Sequence, residues 1–269
     1  MFENILVIAG APRSGTSWLG QIIDSSPDVA YRMQPLFSYA FKDAVNADST
    51  VQEYVDFFRD IYASDDAFLL QTKQRQAGIY PIFEKGQQAS MLTIKMVRYH
   101  YLLQRMLHDF ANLKVLSIVR HPCGVINSWL RAPREFPEGV DPRKEWRFGG
   151  CRNQGRKEEF FGFYKWKEVA HLYLDLRDQY PDQVCIVQYE ELVSRPVSMT
   201  LWLFEFAGLR VTEQTLAFLK TCHATHQEDP YAVFKDKAVA EQWKLQLDPD
   251  IVREIIQNLK GTRLARFLA

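Results

Sequence analysis

The chain has 269 residues, 47% hydrophobic and 25% charged, as expected of a globular protein with core enough for one large domain or two small ones. Its 33 basic side chains equal its 33 acidic ones, which removes any net electrostatic pull toward nucleic acid or an anionic membrane and leaves a basic site to be local. The four cysteines, Cys123, Cys151, Cys185 and Cys222, form no C-x-x-C pair and read as reduced, mostly buried thiols rather than a disulfide framework or a zinc site.

The first element is the apolar run Ile5 to Ala9, too short and without the positive flank of a signal peptide; it reads as a central strand covered on both faces. Gly10 closes it. Thr16 to Ser26 carries Trp18, Leu19, Ile22 and Ile23 at helical spacing and stops before Pro27. Thr50 to Ala63 is a second helix, with Val51, Tyr54, Val55, Phe58 and Ile61 on one side. Met91 to Val97 is a strand, followed by an amphipathic helix over Tyr101 to Phe110. Val115 to Val119 is a third strand, running through Arg120-His-Pro into a helix at Cys123 to Leu130. Arg131 to Lys157, with four glycines, three prolines and no apolar period, reads as a long loop or lid, and its eight cations exceed its four acids. A helix from about Glu158 to Gln179, a strand over Asp182 to Tyr189, a helix at Pro196 to Ala207 and a last helix near Pro249 complete the chain.

Strands alternating with helices predict a single α/β domain over residues 1–269, a P-loop-type three-layer fold with a central parallel sheet flanked by helices on both faces. No stretch reaches the ~20 apolar residues of a membrane span, so the expectation is a soluble, cytoplasmic chain.

Ligands of parallel α/β sheets bind at the carboxyl ends of strands, where a glycine loop feeding a helix presents backbone N–H groups and the helix dipole to an anion. Gly10-Ala-Pro-Arg-Ser-Gly15-Thr-Ser17 occupies that place. It matches G-x-x-x-x-G-K-[ST] except that Thr16 stands where a nucleotide triphosphatase has lysine. The loop's cation is Arg13, whose planar fork suits one phosphate or sulfonate. Arg120, at the end of the third strand, with Ser128 eight residues on, is a second candidate anion site; read alone, Arg120 could equally pair with a carboxylate.

Pro12-Arg-Ser-Gly-Thr-Ser-Trp-Leu19 resembles the 5'-phosphosulfate loop of sulfotransferases, and Val119-Arg-His-Pro with Ser128 resembles their 3'-phosphate motif. Tyr189-Glu-Glu-Leu-Val-Ser-Arg-Pro196 is similar to the segment after a late strand in that family. The arginine form of the loop is closer to bacterial, carbohydrate and tyrosylprotein members than to cytosolic ones, which have lysine there. The resemblance implies transfer of a sulfonate from 3'-phosphoadenosine-5'-phosphosulfate to an acceptor hydroxyl or amine, of a carbohydrate or another small molecule, without a metal. It assigns Arg13, Ser14, Gly15, Thr16 and Ser17 to the phosphosulfate, Trp18 and Tyr189 to the adenine, and Arg120 and Ser128 to the 3'-phosphate. Lys235 or Lys237 would complete the 3'-phosphate site, and Lys95 would touch the sulfonate.

The base is where the sequence departs from its relatives. Cytosolic enzymes have histidine where Val97 stands, and several arginine-loop relatives have glutamate where Gln34 stands. His100 is the remaining candidate, against the alternative of a surface or helix-capping histidine. Two rival functions stay open: a P-loop nucleotide kinase or triphosphatase, which lacks its lysine here, and a noncatalytic nucleotide-binding relative. A metal cluster at Cys222, His223 and His226 has no second group of ligands to close it.

Overall fold

The computed structural model describes residues 2–224 and 240–268. Five strands, β1 (Asn4–Ala9), β2 (Val29–Met33), β3 (Met91–Met96), β4 (Leu113–Val119) and β5 (Val184–Gln188), form one sheet in the order β2-β3-β1-β4-β5. Every pairing is parallel, with Ile8 opposite Lys95 on one side of β1 and opposite Leu116 on the other. All carboxyl ends therefore open on the same edge.

The helices, in chain order, are α1 (Thr16–Asp24), α2 (Val51–Ala63), α3 (Thr72–Gln76), α4 (Leu103–Asp109), α5 (Pro122–Leu130), α6 (Pro142–Glu145), α7 (Gly150–Asn153), α8 (Phe163–Gln179), α9 (Tyr189–Ser194), α10 (Pro196–Ala207), α11 (Glu213–Ala224), α12 (Trp243–Gln246) and α13 (Pro249–Leu259). The twofold alternation of β1 sorts them into layers. Leu6 and Ile8 face a core shared with α1, α9, α10 and α11. Ile5, Val7 and Ala9 face the opposite core, built with α2, α4, α5, α8 and α13. The sheet is thus buried on both faces, as its unbroken apolar strands require. Among the described residues no helix is long and apolar enough to cross a membrane.

Local chemistry sets several boundaries. Thr50 and Glu53 form a reciprocal capping box at the start of α2. The helix expected from Glu158 begins only at Phe163. Gly162 there has φ +91, and a Cβ on it would lie 2.7 Å from the backbone nitrogen of Gly149, so this crossing admits glycine alone. α1 ends in buried Asp24, a charge unfavourable at a helix carboxyl end. Arg75 at 2.6 Å and Lys85 at 2.7 Å offset it and fix that end of the helix.

Residues 131–157 are more ordered than the sequence predicts. They contain α6 and α7, and bury Ala132, Phe136, Trp146 and Asn153. Asn153 ties the segment by donating to the carbonyls of Phe148 and Phe161 and accepting from the Phe161 amide. Arg143 pairs with Asp248, Arg147 with Glu254 and Arg156 with Glu159, so carboxylates outside the segment offset much of its excess positive charge.

Candidate functional site

The turn between β1 and α1 places two successive peptide units against the sheet edge. Arg13 adopts φ +72 and Gly15 φ +95. At Gly15 side-chain-free geometry is essential, because a Cβ would meet the Tyr189 ring at 2.5 Å. The first turn of α1 contains no acidic residue, leaving its N–H groups and positive dipole end to an anion. Buried Ser14 turns Oγ to no hydrogen-bond partner, an unmet polar group that a ligand oxygen suits. Thr16 is buried, and its methyl lies where a Cβ on Gly10 would fall, 2.6 Å away.

The two candidate anion motifs, more than a hundred residues apart in sequence, form one site. Arg13 Nε donates to Ser128 Oγ at 3.1 Å, and Arg120 Nη1 donates to the carbonyl of Arg13 at 3.3 Å. Arg120 is buried, its guanidinium 4.6 Å from the Tyr189 ring centre. Burial raises the Tyr189 phenol and Arg120 opposes that shift. Trp18 stands edge-on to Tyr189 at 6.2 Å and donates from Nε1 to Cys222 Sγ at 3.4 Å. Cys222 thereby serves packing beside the loop. Between Arg120 and α5, His121 accepts from the Cys123 amide through Nδ1 and stacks on Trp243 at 4.3 Å. Burial, helped by Arg120 and Lys244, lowers it to about 4.

Lys95 is buried on β3, and its Nζ donates to Ser17 Oγ at 2.7 Å, which joins the strand to the loop and rules out a solvated strand-end cap. Burial disfavours its ammonium and brings it from 10.5 to about 7; Glu135 opposes this, while Arg13 and Arg98 push further down. Glu135, on the turn after α5, reaches Arg13 with Oε1 at 3.6 Å.

Farther from the loop, Gln34 sits at φ +42 after β2 and gives its amide oxygen to Arg98 Nη1 at 2.9 Å. Arg98 also pairs with buried Glu159 at 2.9 Å and lies 4.0 Å over the Phe37 ring. Gln34, Phe37, Lys95 and Tyr99 are among the residues lining a recess beside the loop.

His100 does not join this group. It is fully buried, takes the Tyr173 hydroxyl on Nδ1 at 3.1 Å and packs edge-on to Phe160 at 4.6 Å. Burial lowers it to about 3, so it is neither the surface nor the capping histidine the sequence suggests but a core residue. Lys235, Lys237 and His226 lie outside the described residues. Sequence reasoning missed Glu135 and the Arg98–Glu159 pair, because both depend on loop placements that periodicity does not report.

The family model described as "Sulfotransferase family" matches residues 6–213. "Carbohydrate sulfotransferase 1" of Danio rerio is 23% identical over 322 residues, covering 93% of this chain and 74% of its own. Among solved structures, a mouse sulfotransferase complexed with PAP superposes with TM-score 0.56 at 15% identity, over 100% of this chain and 89% of the other. The sulfotransferase domain from the curacin biosynthetic pathway gives TM-score 0.55 at 17% identity, over 96% and 98%. These two likenesses concern the fold.

Proposed function

The chain belongs to the sulfotransferase family and moves a sulfonate group, and on that premise we propose that its donor is 3'-phosphoadenosine-5'-phosphosulfate, held at the carboxyl edge of β1, β3 and β4. The 5'-phosphosulfate lies on residues 13–17 and the 3'-phosphate on Arg120 and Ser128, with Trp18 and Tyr189 beside the adenine. A late basic residue, Lys235 or Lys237, closes the 3'-phosphate side. The observation that carries this reading is the bridge from Ser128 through Arg13 to Arg120, which puts two guanidiniums and a hydroxyl at one helix amino terminus.

The reaction is an in-line attack by the acceptor on sulfur. The protein's part is to orient the partners and to hold charge on the equatorial and leaving oxygens, as in phosphoryl transfer. Arg13, Lys95 and the loop amides suit that task. The acceptor is a hydroxyl or an amine, and the likeness to a carbohydrate sulfotransferase favours a sugar or another small molecule. Residues 131–157 form the lid of a single domain. A cytoplasmic location completes the reading, supported by four cysteines that stand as free thiols.

Calorimetry separates the alternatives. Adenosine 3',5'-bisphosphate should bind at least tenfold more tightly than adenosine 5'-monophosphate or ATP with magnesium, since each lost charge-assisted contact costs roughly 1.5 to 3 kcal/mol. Equal affinity for the bisphosphate and the monophosphate removes the 3'-phosphate site, and preference for ATP with magnesium restores the kinase reading.

A further inference from the structure

The geometry points to Glu135 as the general base that takes the acceptor's proton, an assignment that rests on the donor site proposed above. Its backbone is pinned to the core: its amide donates to the Ala132 carbonyl at 2.9 Å, and its carbonyl accepts from the indole of buried Trp129 at 3.3 Å. The carboxylate is thus delivered to the loop, with Oε1 3.6 Å from Arg13 Nη1. Of the charged neighbours acting on Lys95 it exerts the largest influence, ahead of Arg13 and Arg98. Its second oxygen, Oε2, is buried and accepts no hydrogen bond.

A negative charge in that position opposes the binding of a polyanionic donor. It is useful there only if it removes a proton from the group that attacks. The other candidates are committed elsewhere. Gln34 has no basic form and gives its oxygen to Arg98. Both oxygens of Glu159 face arginines, Arg98 at 2.9 Å and Arg156 at 3.6 Å. Glu190 accepts from the His121 amide at 3.0 Å. His100 is in the core, bound to Tyr173.

In the step, the acceptor O–H or N–H proton passes to Glu135 Oε2 as the acceptor–sulfur bond forms. The bond from sulfur to the bridging oxygen breaks, and its electron pair leaves on the nucleotide's 5'-phosphate. Arg13 and Lys95 face the charge that develops, and the proton on Glu135 returns to water after product leaves.

The test uses the full chain, Glu135→Gln and Glu135→Asp, with three readings: bisphosphate calorimetry, transfer from the donor to phenol and to 4-nitrophenol, and sulfate release into water. Glu135→Gln should bind the bisphosphate as tightly or more tightly, yet lose ~10² to 10⁴-fold in turnover with phenol or water. The loss should shrink with 4-nitrophenol in alkaline buffer, where that acceptor is already ionised, and the acidic limb of the pH profile should vanish. Glu135→Asp should recover part of the phenol rate. Unchanged turnover and pH profile in Glu135→Gln, or an equal loss with both phenols, overturns the assignment and leaves Glu135 as a placeholder for Arg13. A wild-type chain that binds the bisphosphate but consumes no donor overturns the base alone. One that does not bind it overturns the donor reading as well.

Discussion

Lys95 should make nucleotide binding depend on pH in a direction that its burial dictates. Its ammonium titrates near 10.5 when unfolded and at about 7 in the folded chain, chiefly through burial. Between those values the unfolded chain holds the extra proton, so stability rises as pH climbs from about 7 to 10.5; below 7 the cost is complete, about 5 kcal/mol at about 1.4 kcal/mol per pH unit. A bound bisphosphate supplies the anion that the buried ammonium lacks and raises its titration point. Binding above pH 7 must then draw a proton from solvent, and affinity should fall with pH, approaching tenfold per unit. The nucleotide's own phosphates have finished their second ionisation near 6 and do not mask the effect. Titration calorimetry at pH 7, 8 and 9, in buffers of contrasting ionisation heat, should show uptake rising toward one proton, and Lys95→Met should abolish it. A wild-type affinity flat across that range, with no proton uptake, would refute the reasoning.

Gly15→Ala should destabilise the fold by roughly 2 to 4 kcal/mol in urea unfolding, combining a left-handed backbone with a contact at 2.5 Å to Tyr189; a Tyr189→Leu partner change should recover only the contact share. Arg13→Ala should leave the melting temperature within a few degrees while abolishing transfer, since alanine inherits the same φ and loses only exposed-edge contacts to Ser128 and Glu135. Arg13→Lys should keep part of the activity, with charge retained and the planar fork lost. Limited proteolysis within residues 131–157 should slow when bisphosphate is bound, and should quicken in Asp248→Asn, which releases Arg143.

The strands buried on both faces were the most legible part of the fold, because their apolar runs are continuous: β1, β3, β4 and β5 differ from expectation by a residue or two at their ends. β2 escaped notice. It is five residues long and carries Arg32, whose charge disguises a strand; inside, Arg32 is hydrogen-bonded to the carbonyls of Tyr31, Ile61 and Tyr62. The short α9, beginning at Tyr189, likewise lacks the length that a period needs. At the site, Arg13, Ser17, Lys95, Arg120 and Ser128 were legible because spacing within a strand–loop–helix unit is local. Glu135 was not, since only the anchoring of its backbone on Trp129 brings it to Arg13. His100 misled because a histidine's surroundings, here Tyr173 and Phe160, are set wholly by tertiary packing.

The sheet order has a metric consequence. Lys95 lies in β3, Arg13 follows β1 and Arg120 follows β4, three strands that are immediate neighbours in the sequence β3-β1-β4. Adjacent strands stand about 4.8 Å apart by backbone hydrogen bonding. The cations are therefore mounted on successive rungs of a ruler whose divisions no loop substitution can alter. Changes in the intervening core that shear or twist those rungs would mistune the spacing of charges along a bound nucleotide without touching a single residue that contacts it.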